Sequence, residues 1–142
     1  MFMDALKMSL PANAVLGFTL YMLGAALVFA LYAFIYTRLT PHNEFALIRQ
    51  GNSAAAIALA GALLGFAIPV ASAISHSISI IDFLLWAAIA AVVQLLALLA
   101  VSLTLKGLSR RIVDQENAAA ILVAAVSVGV GLLNAACMTP ST

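Results

Sequence analysis

Gln50-Gly51-Asn52-Ser53-Ala54-Ala55 and Gln115-Glu116-Asn117-Ala118-Ala119-Ala120 share four of six residues, written 65 positions apart. Each leads into a long apolar run, Ser53–Ile74 in the first case and Ala118–Met138 in the second. The same offset, without a gap, places Phe18, Leu20 and Tyr21 on Phe83, Leu85 and Trp86, and Ala25 and Ala26 on Ala90 and Ala91. These residues belong to two further apolar runs, Val15–Tyr36 and Phe83–Leu105. The unit is therefore an apolar run, a short charged connector and a second apolar run. It occurs once over residues 15–75 and again over 80–138.

An α-helix needs about 20 apolar residues to cross a bilayer core, and all four runs meet that length. Only helices and closed barrels span lipid, because backbone groups there find no water. The runs are too long and too continuously apolar for barrel strands. The expected fold is all-α: a polytopic membrane protein with four transmembrane helices from two tandem parallel two-helix repeats, in a single membrane domain, 1–142. Composition agrees, with 65% hydrophobic and 8% charged residues, where a soluble domain carries about 25% charged. A net charge of +1 gives no basis for nucleic-acid binding. Lys7 precedes an apolar run longer than the roughly 7–15 residues of a signal core, so that run is expected to remain as the first span.

The basic residues separate by position. Arg38 and Arg49 lie between spans one and two, and Lys106, Arg110 and Arg111 between spans three and four. The other side holds Lys7, offset by Asp4. Short basic loops stay cytoplasmic, which predicts both termini on the periplasmic face of a bacterial inner membrane. Tyr21 and Trp86 are expected as anchors at the outer interface, and Tyr32 and Tyr36 at the inner one. Because each unit has an even number of spans, the two insert the same way round, related by an axis along the membrane normal.

The first connector runs from Thr37 to Asn52. Thr40-Pro41 reads as a helix start, a hydroxyl cap followed by proline at the first helical position. Phe45 and Ile48 would then share a face of an interfacial helix whose arginines reach headgroups. Leu105, Leu108 and Ile112 give the second connector the same spacing. His42 and Glu44 are a titratable pair, but two residues apart on one helix they point to different faces. With His76 across the membrane, no metal or cofactor site is expected. Contact with lipid headgroups or a partner is the better expectation for Arg38, His42, Glu44, Arg49, Lys106, Arg110 and Arg111.

Four polar side chains fall in or at the ends of the spans. Asn52 and Asn117 open spans two and four and suit helix N-caps; in an assembly of several chains they could instead ring the mouth of a pathway. Gln94 lies mid-span, opposite Phe29 in the repeat, and reads as interhelical glue or pathway lining. Asn134 lies near the outer end of span four, with no clear partner. Gly61 and Gly65, then Ser127 and Gly131, are small residues at the spacing that lets helices approach closely. Gly129 and Pro69 are read with them as packing or flexing devices. Cys137, the single cysteine, allows no intrachain disulfide and reads as a small buried hydrophobe. No phosphate loop, nucleophile elbow or mid-span charge is present, so no enzyme is expected.

Thr40-Pro41-His42-Asn43-Glu44, Asn52-Ser53-Ala54-Ala55, Leu63–Pro69 and Asn134-Ala135-Ala136-Cys137-Met138 together resemble the YjfL family of small bacterial inner-membrane proteins, a domain of unknown function. The resemblance covers nearly the whole chain. It implies a four-span protein with a duplicated two-helix unit and assigns no catalytic residue. Genes of that family accompany phage-shock-type membrane-remodelling proteins, which implies an envelope-stress setting and a peripheral cytoplasmic partner. Two functions compete: a small homo-oligomeric membrane scaffold, and an oligomeric channel for ions or small solutes lined by Asn52, Asn117 and Gln94.

Overall fold

A computed structural model describes residues 1–138. They form seven helices: α1 (Phe2–Ser9), α2 (Ala12–Leu39), α3 (Glu44–Arg49), α4 (Ser53–His76), α5 (Ile80–Thr104), α6 (Leu108–Val113) and α7 (Asn117–Cys137). No strand occurs among the described residues. Four helices, α2, α4, α5 and α7, are long and apolar enough to cross a membrane. The longest, α2, has 28 residues. At 1.5 Å per residue it spans about 42 Å, more than a hydrocarbon core, so part of it must tilt or emerge. An even number of spans is consistent with termini on the same side.

Helix α4 is the axis of the bundle, and α7 runs parallel to it. The reason is side-chain size. A Cβ placed on Gly61 would collide with Ala124, one on Gly65 with the Ser127 backbone, and one on Gly131 with the Gly65 carbonyl. Backbones this close require glycine, and the gain is dispersion contact along the seam. Ser72 at the far end donates to the Ala135 carbonyl at 3.2 Å. Gly129 does not take part in this packing: a Cβ there meets nothing, because the residue faces away from α4. Pro69 is buried inside α4, which continues unbroken past it to His76.

Helix α5 packs against this pair, and α2 lies outermost, with an apolar surface facing outward along most of its length. The contact face of α2 is aromatic. Tyr32 stacks on Phe66 with centroids 4.2 Å apart, and Tyr21 tilts against Phe83 at 5.8 Å. Tyr32 and Tyr36 are 2% and 1% exposed, so they are core residues rather than the inner-interface anchors expected from their depth. A ring binds lipid only if it points outward, and these two lie on the side of α2 that meets α4. Trp86 is 42% exposed, on the outer side of α5. Cys137 is also exposed, contrary to the expectation that it would be buried. It falls on the side of α7 away from the seam.

Candidate functional site

The α2–α3 and α5–α6 connectors meet at one end of the bundle. Thr40 and Pro41 do not start a helix there. Thr40 closes α2 instead, its hydroxyl donating to the Tyr36 and Thr37 carbonyls, and Asn43 caps α3 by accepting from the Ala46 amide. Pro41 and His42 therefore lie in a bend. This overturns the expectation that His42 and Glu44 diverge, because helical spacing applies only when both residues are helical. His42 Nε2 lies 2.7 Å from Glu44 Oε1, and the side chains are 5% and 0% exposed. On the other edge of the ring, Nδ1 lies 2.6 Å from Ser109 Oγ at the start of α6.

The 2.7 Å approach is ion-pair contact off the ideal hydrogen-bond line; neither Nε2 nor either Glu44 oxygen has a partner of full hydrogen-bond geometry among the described residues. The roles at the other ring nitrogen follow the tautomer: with the imidazole proton on Nε2, Nδ1 accepts from the Ser109 hydroxyl, and with it on Nδ1, the ring donates to Ser109 Oγ.

A second link joins the connectors. Asn52 accepts from the Ala55 amide as the N-cap of α4, and its amide group donates to the Ile112 and Val113 carbonyls at 3.1 and 3.2 Å. One side chain thus starts a span and ends α6. Asn117 has a different part. The cap of α7 is Glu116, without a side-chain bond, and Asn117 sits one residue inside, accepting from Ser53 Oγ at 3.1 Å. Deeper in the bundle, Gln94 donates to the Ser127 carbonyl at 3.0 Å and Asn134 to the Ala90 carbonyl at 3.3 Å. Both amides are buried within one chain.

The charges gather at this same end. Arg49, Lys106 and Arg110 are exposed, as is Arg38, whose guanidinium lies 4.9 Å from the Phe34 ring centroid. Arg111 pairs loosely with Glu116 at 3.8 Å, both about half exposed. Ile48 packs against the core while Phe45 is exposed, so the two do not share the face expected of them. Leu108 and Ile112 are buried and Leu105 partly so. No group of three metal-ligating side chains occurs among the described residues.

A cavity of about 380 Å³ opens between α2 and α5 beside the connectors. Tyr36, His42, Ser102 and Ser109 supply its polar atoms, and Leu98, Leu108, Ile112 and Val123 much of its apolar wall. The sequence reading did not single out Ser109. It lies 67 residues from His42, and no local pattern links them.

Residues 9–138 match the family model described as Domain of Unknown Function (DUF350). The chain belongs to the DUF350 family. Among DUF350 relatives, the UPF0719 inner membrane protein YjfL of Escherichia coli strain K12 is 41% identical over 128 residues, covering 89% of this chain and 96% of the relative. The protein of the same name from Escherichia coli O157:H7 aligns equally well. No solved structure matches. This DUF350 chain is thus an inner-membrane protein with membrane-spanning helices, from a family whose function is unknown.

Proposed function

We propose that the protein is a small membrane scaffold whose two connectors form one cytoplasmic docking face for a peripheral protein with an acidic surface. The reading rests on one observation above all: the connectors, far apart in sequence, are tied together by His42–Ser109 and by Asn52 to the end of α6. A tied pair holds Arg38, Arg49, Lys106, Arg110 and Arg111 in a fixed constellation on one face, where two independent loops would not. Basic loops set that face in the cytoplasm, with both termini periplasmic. The outward apolar surface of α2 leaves room for a second copy, and a homo-oligomer would multiply the basic face. The family resemblance favours an envelope-stress setting. Of the three side chains that would line a channel, Asn52 and Gln94 are buried and bonded inside the single chain, which leaves the exposed Asn117 as the one open to a pathway.

The test is recruitment to the protein in nanodiscs of neutral lipid. Wild type should retain an acidic peripheral protein from cell extract in a salt-sensitive manner, and Arg110→Glu with Arg111→Glu should lose it while topology is unchanged. Recruitment that survives charge reversal would count against the scaffold. Native mass of the same discs reads the subunit number.

A further inference from the structure

We propose that Ser109 is the nucleophile of an acyl-transfer site, with His42 as its base and Glu44 as the residue that holds the base, acting on ester-linked acyl chains drawn from the bilayer. This goes beyond the docking role and shares with it the His42–Ser109 contact; the Glu44 contact and the cavity are its own observations. Three groups adjoin one another at the cavity. Ser109 and His42 both line it, with Ser109 Oγ 2.6 Å from His42 Nδ1, and Glu44 Oε1 lies 2.7 Å from His42 Nε2 with its side chain fully buried. A hydroxyl, an imidazole and a buried carboxylate in series make up the arrangement that activates serine, and it is recognised by geometry and role rather than by order in sequence. Here the serine bonds Nδ1 and the carboxylate Nε2.

Glu44 is otherwise hard to account for. A fully buried carboxylate costs stability unless it is paired, and a connector tie needs only the His42–Ser109 bond. What Glu44 adds in this proposal is a carboxylate 2.7 Å from Nε2, which favours the tautomer with the proton on that nitrogen and so leaves Nδ1 to accept from the hydroxyl. The cavity supplies the substrate class. Its volume of about 380 Å³ is that of a small-molecule site. Leucine, isoleucine and valine supply six of its thirteen lining residues, and the exposed Leu39 and Leu99 are among them, on the sides of α2 and α5 that face outward. An acyl chain fits that surface, with its ester near the level of the connectors.

In the reaction Ser109 Oγ attacks the ester carbonyl carbon and passes its proton to His42 Nδ1. The new bond from Oγ to the acyl carbon forms, and the bond from that carbon to the alcohol oxygen breaks. The leaving alkoxide takes the proton back from His42 and departs as an alcohol. Water or a second alcohol then removes the acyl group by the same steps.

The experiment uses a long-chain alkyl fluorophosphonate on the full-length protein in nanodiscs, with the adduct mapped by peptide mass. Ser109 should lose its proton to His42 and carry the phosphonyl group, with release of fluoride, and a short-chain probe should react more slowly. His42→Phe should slow labelling by roughly 100-fold or more, the usual worth of a positioned base. Glu44→Gln should lower the maximal labelling rate while the probe concentration giving half of it stays the same, a split that a purely structural residue would not produce. Topology and native mass of each variant show whether it is folded. Absence of a Ser109 adduct on folded wild type, or labelling spread evenly over the serines, would overturn the proposal and leave His42–Ser109 as a tie between connectors only.

Discussion

Both connectors finish in a Schellman turn that leads directly into a long helix, yet different residues occupy corresponding places. In the first, the Gly51 and Asn52 amides donate back to the Ile48 and Leu47 carbonyls. In the second, the Gln115 and Glu116 amides donate to the Ile112 and Arg111 carbonyls. The left-handed residue is Gly51 in one, at φ +85°, and Gln115 in the other, at φ +59°. Asn52 then caps α4 in the place that Glu116 takes before α7. The backbone motif therefore matches one residue away from the sequence match, which pairs Gln50 with Gln115 and Asn52 with Asn117. Identical letters do not imply identical roles when the turn has slipped by one.

The comparison breaks most visibly at the seam. Gly65→Val drives a side chain into the Ser127 backbone, and neither helix can yield without losing the other contacts along α4 and α7. It should cost about 3 kcal/mol or more in SDS-titration unfolding. Gly129→Ala, on the open side of α7, should be neutral or slightly stabilising, because alanine suits a helix interior better than glycine.

Next come the two asparagines. Asn52→Leu removes a cap and two bonds to α6, leaving buried carbonyls short of donors; a loss of roughly 2–3 kcal/mol is expected. Asn117→Leu removes one exposed bond from Ser53 and should cost under about 1 kcal/mol. Equal costs would mean that the sequence match, not the geometric one, describes these helix starts.

The smallest effects concern the turns themselves. Gly51→Ala has space for its Cβ but must keep a left-handed backbone, at a cost of about 1–2 kcal/mol. Gln115→Gly relieves the same strain and should raise stability by a few tenths to about 1 kcal/mol. Unfolding midpoints of the two variants should therefore move in opposite directions.

Much of the fold can be read from the chain because its signals are local. Four apolar runs of the right length, Asn52 before Ser53, and Gly61 and Gly65 one turn apart all concern residues near one another. The observed spans differ from the reading only at their ends, where α2 continues from Ala12 to Leu39. The candidate site is a different case. His42 is useful only because Pro41 and His42 leave the helix and α6 arrives from far along the chain, bringing Ser109. Periodicity also could not tell which side of α2 faces protein, so Tyr32 and Tyr36 read as lipid anchors when they are core.

The central claim is that the two connectors act as one unit, and the most direct measurement is a double-mutant cycle between His42→Leu and Ser109→Ala, by unfolding in lipid-detergent mixtures. The account predicts a coupling energy of about 1 kcal/mol or more between them, in the range found for residues in one hydrogen-bond network. Additive losses, with no coupling, would contradict it: the connectors would then be separate loops, and neither a fixed docking face nor an activated Ser109 would follow.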